Sequence, residues 1–353
     1  STPIKSSAAS DVYKRQVILV GTLLLMLPFA SREPGSAPFL DALFTATSAT
    51  CVTGLIVHDT ATYWSCFGQV VILLLIQIGG MGVVTITIAV AMVSGKKIGL
   101  MQRSLMQESI SAPQVGGIVR FTGFFLKGIA LIELLGAILL APVFIKDFGV
   151  GKGIWYGVFH SISAFCNAGF DLLTATPGAV GLSEYTNNPL VMITLIVLIT
   201  TGGLGFIVWR NIRHYSKAKR LLLHTKLVLI MAAVMLLVGA TIIFIVEFGN
   251  QDTLGQMPIG EKILTSVFLS ASSRTAGFPC FDMNDLMPFT KIIITILMFI
   301  GAAPASTAGG IKITTVALVV CTVISVLKGR EDTYLMGHRI KRDAIYKTFT
   351  VIV

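Results

Sequence analysis

Three short segments of this chain end in the same kind of motif, and their backbone could bind cations. They read Ser48-Ala-Thr-Cys-Val-Thr-Gly54, Ser163-Ala-Phe-Cys-Asn-Ala-Gly169 and Ala271-Ser-Ser-Arg-Thr-Ala-Gly277, with glycines 115 and 108 residues apart. None has a carboxylate in the five residues that end at its glycine, so carbonyl oxygens are the candidate ligands. Backbone carbonyls around an axis can replace the hydration shell of a monovalent cation. The repetition predicts helix–loop–helix units that bring the three loops together.

A short stretch with a helical pattern precedes each motif, at residues 38–47, 154–163 and 261–270. About ten residues cannot cross a membrane. In the first repeat, β-branched residues and a glycine at 50–54 then favour an extended backbone with one position free to take positive φ. A half-helix that returns as a strand is tolerated within a membrane only where it is buried in protein or faces water. The alternative is that the three glycines are turns between membrane helices.

The composition predicts an all-α integral membrane protein. Hydrophobic residues make up 54% of the chain and charged residues only 12%, against about 25% charged residues in soluble domains. A transmembrane helix needs about 20 apolar residues, which the second to fifth apolar spans provide. The first span is marginal and the sixth is long enough to contain a break. The spans are residues 17–30, 66–94, 118–143, 190–209, 227–246 and 288–327.

The net charge of +10 is distributed as in a membrane protein. Nineteen of the 27 Lys and Arg residues lie in four segments, 1–16, 95–120, 210–226 and 328–347. These segments follow every second crossing, and the loops between them are poor in Lys and Arg. This positive-inside pattern predicts a multi-pass protein of a bacterial cell membrane with a cytoplasmic N-terminus. The basic residues then set orientation and contact the lipid bilayer, and no nucleic acid is expected as a partner.

Metal and enzyme chemistry find little support in the sequence. The five cysteines form no C-x-x-C pair, so neither a disulfide framework nor a zinc site is expected. The one candidate histidine at membrane depth, His160, has no paired acid and is interpreted as a packing residue. No G-x-S-x-G motif occurs. The sequence therefore predicts that the chain is not an enzyme.

Four strings carry a resemblance to a known family: residues 45–55, 163–170, 270–278 and 301–310. With them the chain resembles the membrane subunits of the Ktr/Trk/HKT family of potassium uptake proteins, most of all the bacterial Ktr members, over about residues 17 to 353. The resemblance implies M1–P–M2 repeats, each a helix, a re-entrant pore helix with a filter loop, and a helix. Four such repeats surround a pseudo-fourfold pore, and three plus the start of a fourth are expected here.

The resemblance and the apolar spans together predict the division of the chain. Residues 1–16 are expected to be a leader or an appended segment. Apolar residues resume after 342, so a fourth repeat is expected to begin and to be cut off. The remaining predicted units are repeat 1 (17–94), a cytoplasmic linker (95–117), repeat 2 (118–215), repeat 3 with a broken M2 (216–327), a second cytoplasmic linker (328–342) and the start of repeat 4 (343–353).

By position, the resemblance assigns K⁺ coordination to the backbone carbonyls of three filter strands. Arg274 lies within one of them and is expected to point away from the ion and to anchor its strand to an acid or to carbonyls. Asn167 is expected to face the protein behind the filter. The strands are Thr50, Cys51, Val52, Thr53 and Gly54; Phe165, Cys166, Asn167, Ala168 and Gly169; and Ser273, Arg274, Thr275, Ala276 and Gly277.

The sixth apolar span is interrupted by a run of small residues. Proline and three glycines disfavour a continuous helix there, and a kinked helix packed through small residues is the alternative. The resemblance implies an intramembrane loop below the filter that acts as a gate. Its residues are Gly301, Ala302, Ala303, Pro304, Ala305, Ser306, Thr307, Ala308, Gly309 and Gly310.

Two acids lie in or beside apolar spans. Glu133 is interpreted either as a buried hydrogen-bond partner or as a residue of the cation path, since intramembrane acids are functional candidates. Glu247 is expected at the membrane interface, where it would be solvated.

The resemblance also implies the ion and the partners. The expected ion is K⁺, with Na⁺ as the alternative, and no organic cofactor is expected in this chain. Serine in place of the first filter glycine accompanies Na⁺ selectivity in the plant branch of the family, and Gly54 is glycine here. A homodimer of pore subunits and a cytoplasmic ring of RCK-type regulatory subunits that bind ATP or ADP are the implied partners.

Overall fold

The computed structural model describes residues 3–82, 118–173, 180–218, 220–329, 332–336 and 338–340, together with residues 345, 348 and 350. The predicted linker 95–117 and most of the predicted fourth repeat lie outside this set. The described helices are α1 (Pro3–Leu25), α2 (Phe39–Cys51), α3 (Cys66–Met81), α4 (Ile118–Phe148), α5 (Val150–Phe165), α6 (Pro189–Gly203), α7 (Phe206–Ala218), α8 (Leu223–Glu247), α9 (Ile259–Ser273), α10 (Pro288–Phe299) and α11 (Ile313–Leu327).

Two small elements complete the described structure. A 3₁₀ turn covers Ser183–Tyr185, and strands β1 (Tyr334–Leu335) and β2 (His338–Arg339) form an antiparallel hairpin in which Tyr334 pairs with Arg339. The hairpin packs against α11. The fold is therefore helical, as expected from the composition.

The same order of helices occurs three times. A helix packs against a short helix, and a third helix follows: α1–α2–α3, α4–α5–α6, and α8–α9 with α10 and α11. The short helices α2, α5 and α9 have 13, 16 and 15 residues, and each ends at one of the repeated motifs. The helix–loop–helix unit predicted from the motifs is thus present in all three places.

Two described helices, Thr122–Phe148 within α4 and the whole of α8, are long and apolar enough to cross a membrane. The helix pair α6–α7 passes the same test only together, and it is bent by 97° at the break between them. The sequence predicted one continuous span over residues 190–209, and this was wrong. Gly205, at φ +84°, occupies a conformation that favours glycine and permits the sharp turn.

The first helix begins before the predicted first span. α1 runs without interruption from Pro3 to Leu25, so residues 3–16 continue the same helix as the apolar residues after them. The buried Thr22 hydroxyl is satisfied within this helix, since its Oγ1 donates to the Ile18 carbonyl at 2.8 Å.

A serine on the short helix joins it to the long helix in the second and third repeats. Ser161 Oγ donates to the Glu133 carbonyl at 2.6 Å, and Ser270 Oγ donates to the Leu236 carbonyl at 2.9 Å. A glycine stands three residues after each accepting carbonyl, Gly136 and Gly239 respectively, and a Cβ there would collide with the serine hydroxyl. These glycines let the short helix approach the long one closely.

Glu247 is buried, which contradicts its expected position in interfacial water. Its side chain is fully inaccessible, and both carboxylate oxygens accept hydrogen bonds. Oε2 receives Asn250 Nδ2 and Thr253 Oγ1, each at 2.7 Å, and Oε1 receives the Met287 backbone N–H at 2.9 Å. Because buried carboxylates are retained where they are fully hydrogen-bonded, Glu247 joins the end of α8 to the start of α10.

Candidate ion-binding site

The three repeated loops share one backbone conformation. In each, two residues with positive φ are separated by a single residue, and the second of them is the motif glycine. The pairs are Val52 (φ 56°) and Gly54 (φ 77°), Asn167 (φ 56°) and Gly169 (φ 72°), and Thr275 (φ 70°) and Gly277 (φ 75°). The sequence predicted positive φ only at the glycines. The left-handed non-glycine residue before each of them is a feature that sequence reasoning missed.

Two of these left-handed residues, Val52 and Thr275, are β-branched, for which positive φ is a true outlier. Such conformations cost of order 1–3 kcal/mol each and persist only where the surroundings impose them. The end of the preceding helix does so here. The loop N–H groups of Thr53, Ala168 and Gly277 donate back to carbonyls in that helix at 2.9, 2.8 and 2.9 Å. The strain is therefore built into the first and third loops, whereas the second has Asn167, a residue type that adopts positive φ more readily.

The non-helical part of each loop is shorter than the sequence predicted. Thr50 and Cys51 are still in α2, Phe165 is the last residue of α5, and Ser273 is the last residue of α9. Four of the predicted strand residues thus belong to the short helices. In each loop the left-handed residue, the residue after it and the glycine follow beyond the helix end.

The carbonyls of the last helical turns face the third helix of their own repeat. A Cβ on Gly79 of α3 would collide with the Thr50 carbonyl, and one on Gly202 of α6 would collide with the Phe165 carbonyl. These two glycines permit the close approach of the third helix to the loop. They are a signal that the sequence offers, because Gly-Gly pairs occur at 79–80 and 202–203.

The three loops converge, and each contacts the next in the same way. A Cβ placed on Gly54 would lie 2.6 Å from the Ala168 carbonyl oxygen, and one on Gly169 would lie 2.5 Å from the Ala276 carbonyl oxygen. Each of these carbonyls belongs to the residue just before the next motif glycine. These contacts bring backbone carbonyls and bare glycine backbone of the three loops together.

Serine hydroxyls on the short helices form hydrogen bonds to the loops. Ser163 Oγ donates to the Phe170 carbonyl at 2.7 Å, and Ser272 Oγ donates to the Phe278 carbonyl at 2.9 Å. In both repeats the acceptor is the residue directly after the motif glycine. In the first repeat Thr53 Oγ1 donates to Ser48 Oγ at 3.0 Å instead. The serine that begins the first two motifs thus has a structural role in stabilising the loop.

A polar network lies behind the second loop. Cys166 Sγ donates to Gln77 Oε1 at 3.7 Å, and Gln77 Nε2 lies 3.0 Å from both carboxyl oxygens of Glu133. Glu133 is only 8% exposed. Of the two interpretations of this acid, the geometry matches the buried hydrogen-bond partner. Gln77 was not singled out from the sequence, since an isolated glutamine in an apolar span has no motif around it.

Arg274 is buried and turned into the protein. Its side chain is 6% exposed, and its Nη1 donates to the Ala232 carbonyl on α8 at 3.4 Å. No acid pairs with it among the described residues. Of the two expected anchors, an acid or a carbonyl, the described structure has the carbonyl.

The sixth apolar span is broken by a true loop rather than by a kink. α10 ends at Phe299 and α11 begins at Ile313. The two ends of the loop meet, since Ile300 and Ile311 form an isolated parallel bridge. The predicted gate residues 301–310 all lie within this loop.

The loop is docked on the bend between α6 and α7. Its Ala303 and Thr307 N–H groups donate to the Gly203 and Gly202 carbonyls at 3.0 and 3.3 Å. In return, the Phe206 N–H at the start of α7 donates to the Ala305 carbonyl at 2.9 Å. The last carbonyls and the first N–H of an interrupted helix lack intrahelical partners. The loop 301–310 and the α6–α7 bend supply these hydrogen-bond partners to each other.

Thr307 joins the loop to the second repeated motif. Its Oγ1 donates to the Phe165 carbonyl at 3.0 Å and accepts from Asn167 Nδ2 at 3.0 Å. Asn167 is 1% exposed, and it faces the protein behind the loop, as expected. Asn167 Oδ1 has no hydrogen-bond partner within the described part of the chain. Thr307 is thus the direct contact between the predicted gate and the predicted filter.

A comparison with known protein families agrees with this architecture. The family described as TrkH, cation transport protein, matches residues 5–353 of the chain. The chain belongs to this family. Its members transport cations, so this TrkH-family chain is a transport protein and not an enzyme.

Individual relatives cover nearly the whole chain. The potassium/sodium uptake protein NtpJ of Enterococcus hirae is 40% identical over 335 residues, which are 95% of this chain and 73% of NtpJ. The Ktr system potassium uptake protein B of Bacillus subtilis is 40% identical over 336 residues, or 95% of this chain and 74% of that protein. Its counterpart in Vibrio alginolyticus is 34% identical over 339 residues, 96% of this chain and 73% of its own length.

The fold also matches a solved structure. The crystal structure of the potassium transporter TrkH from Vibrio parahaemolyticus superimposes with a TM-score of 0.73, covering 100% of this chain and 69% of that one. Sequence identity in this superposition is 15%, so the likeness concerns the fold. The TrkH-family chain is thus a helical membrane protein of the same architecture.

Proposed function

We propose that this chain takes up K⁺ through a channel-like pore whose selectivity filter is formed by the repeated loops. The observation that carries the proposal is the contact between successive loops, in which Gly54 faces the Ala168 carbonyl and Gly169 faces the Ala276 carbonyl. Converging carbonyls without carboxylates are the ligand set that replaces water around a monovalent cation. The names of the relatives, which include potassium uptake proteins of Bacillus and Vibrio, support the same ion.

The proposed coordinating carbonyls are fewer than the sequence suggested. Thr50 and Phe165 direct their carbonyls at Gly79 and Gly202, and Phe165 also accepts a hydrogen bond from Thr307. The ion-facing set is therefore assigned to the last three residues of each loop, namely 52–54, 167–169 and 275–277. The side chains around them act as supports behind the filter.

The loop 301–310 is proposed to be the gate. It is irregular backbone within an apolar span, and such backbone at membrane depth lines ion pathways. Its contact with Asn167 and Phe165 places it directly beside the second loop. A gate at this point would control passage immediately next to the filter.

Gly54→Ser tests the filter. The full-length gene would be expressed with a matching regulatory subunit in a bacterium that lacks its own K⁺ uptake. Two properties would be measured: growth at low K⁺, and the rates of ⁸⁶Rb⁺ and ²²Na⁺ uptake. A side chain at φ +77° and 2.6 Å from the Ala168 carbonyl displaces a coordinating oxygen, so the K⁺/Na⁺ uptake ratio is expected to fall at least tenfold. An unchanged ratio in a variant present at wild-type levels would refute the filter assignment.

A Na⁺-conducting relative is the second candidate function, and the name of NtpJ, a potassium/sodium uptake protein, favours it. The same uptake experiment separates the two, because a wild-type chain that carries ²²Na⁺ as fast as ⁸⁶Rb⁺ would be the dual transporter.

The partners are part of the proposal as well. The names of relatives refer to a Ktr system, which supports an assembly with other subunits. The family resemblance of the sequence extends the proposal to a cytoplasmic RCK-type ring that binds ATP or ADP and to a homodimer of pore subunits. Mass measurement of the complex purified in detergent tests both, since a monomer that binds no ring would exclude them.

A further inference from the structure

A basic surface pocket lies where two helices meet at the depth of lipid headgroups. α7 is bent by 97° from the apolar helix α6, so it runs nearly perpendicular to it, and it mixes apolar residues with Arg210 and Arg213. An amphipathic basic helix of this kind lies in the membrane interface. α8 follows it and has 25 residues, about 37 Å at 1.5 Å per residue. That exceeds the roughly 30 Å hydrocarbon core, so its ends reach the headgroups.

The pocket opens between the end of α7, the first turn of α8 and the β1–β2 hairpin. Arg220 and Lys226 bring two cations to it, and His338 adds an imidazole. Tyr215 contributes a phenol from α7. None of the described lining residues is acidic. The lining consists of Tyr215, Arg220, Leu221, Leu222, Leu223, Lys226, Met336 and His338.

The start of α8 adds to the positive potential of these side chains. The N-cap residue Leu222 has no side chain that could cap this helix, its own N–H donates to Asn211 Oδ1 at 3.0 Å, and the first turn contains no acidic residue. The N–H groups of a first helical turn have no intrahelical partner, and the helix dipole is positive at this end. Convergent cations beside such a terminus form an anion site. Phosphate is the anion that is abundant at this depth.

We propose that this pocket binds the phosphate group of an anionic phospholipid. The leucines 221–223 form an apolar wall beside the cations, and Leu222 is 53% exposed. An acyl chain can cover that wall, whereas free phosphate or an acidic protein segment would leave it in water. Basic pockets on the cytoplasmic side of membrane helices bind acidic headgroups in this way, and the charge pattern predicts that this end of α8 is cytoplasmic. The inference concerns lipid binding and does not depend on which ion the chain carries.

Native mass spectrometry of the full chain in detergent tests the proposal. Phosphatidylglycerol, phosphatidylcholine and inorganic phosphate are titrated separately against wild type and the double variant Arg220→Ala/Lys226→Ala. The control is Arg32→Ala/Lys152→Ala, which removes one Arg and one Lys from exposed positions outside this pocket. With about fivefold in affinity per cation, phosphatidylglycerol binding is expected to weaken about 25-fold in the double variant and to stay unchanged in the control.

Three results would overturn the proposal. Equal phosphatidylglycerol affinity in the double variant and wild type would show that the cations are not the site. Displacement of phosphatidylglycerol by millimolar inorganic phosphate would identify a free-phosphate site. If the double variant kept its lipid affinity but no longer assembled with the cytoplasmic regulatory subunit, the pocket would be a protein interface. A melting temperature equal to that of wild type ensures that the double variant is folded.

Discussion

Thr307→Val removes the hydroxyl that joins the loop 301–310 to the second repeated motif, with little change in shape. The substitution leaves the Phe165 carbonyl and Asn167 Nδ2 without their 3.0 Å partners. Asn167 is 1% exposed, so water cannot readily replace the lost hydrogen bond. A buried polar group left unpaired costs about 1–3 kcal/mol.

The expected shift follows from these two groups. Taking the low end, about 1 kcal/mol for each, the docked loop is destabilised by about 2 kcal/mol, which is close to a 30-fold change in the ratio of undocked to docked loop. If the loop is the gate, basal ⁸⁶Rb⁺ flux should rise by up to the same factor. Thr307→Ser keeps the hydroxyl and is expected to keep the wild-type flux.

The assay is ⁸⁶Rb⁺ flux into proteoliposomes that contain the full-length protein without its regulatory subunit. Ser306→Ala is the matched control, since among the described residues Ser306 Oγ bonds within the loop alone, to the Ala303 carbonyl at 2.6 Å. Flux for Thr307→Val within twofold of wild type, in protein that melts at the wild-type temperature, would refute the assignment of Thr307 as the contact that holds the gate closed.

Three further predictions test the supports around the site. Glu133→Gln keeps an oxygen for Gln77 Nε2, so K⁺ uptake is expected to stay within about twofold of wild type, while a large loss would show that the carboxylate charge itself serves the cation path. Gly239→Ala places a Cβ against Ser270 Oγ and is expected to lower the free energy of unfolding by about 1–3 kcal/mol. The melting temperature of this variant should fall. That of the control Gly249→Ala, where a Cβ meets open space, should not. Glu247→Ala removes the acceptor of Thr253 Oγ1 and of the Met287 N–H, while Asn250 Nδ2 keeps only the Asp285 carbonyl. Stability is expected to fall by about 2 kcal/mol or more, and thermal unfolding that matches the wild type would contradict the role of Glu247 as the link between α8 and α10.

The repeated loops were predictable because their signals are local. A short helical stretch and a glycine occur together in each motif, β-branched residues are present in the first and third, and each signal acts within a few residues. The break in the sixth apolar span was predictable for the same reason, since Pro304 and its neighbouring glycines cannot continue a helix. The loop that replaces the helix indeed contains the whole of 301–310.

The ends of the short helices were less predictable. The residues around Thr50 and Phe165 are compatible with either a last helical turn or a strand. Hydrogen bonds from the loop back to the helix determine that both residues are helical. Helix ends are the least certain boundaries in a sequence. This is why four predicted filter residues are helical and why the proposed set of ion-coordinating carbonyls is smaller than the predicted one.

Features that depend on distant partners could not be read from the sequence. Hydropathy averaged over residues 190–209 predicts one span, because the bend at Gly205 is held by a loop about 100 residues later. Glu247 looked solvated because it ends an apolar stretch. Asn250 and Thr253 lie three and six residues later, but the loop after α8 must turn back to bring them to the carboxylate, and Met287 lies 40 residues later.

The reciprocal hydrogen bonds between the loop and the α6–α7 bend have a consequence for the way a gate can be studied. The carbonyls of Gly202 and Gly203 and the N–H of Phe206 all depend on the loop. Deleting residues 301–310 therefore does more than remove an obstacle, because it strips three backbone groups of their partners one repeat away and loosens the joint between α6 and α7. Ion leak through a deletion variant could therefore arise from a disordered α6–α7 bend as well as from an open pore. Single side-chain substitutions in the loop keep these backbone hydrogen bonds.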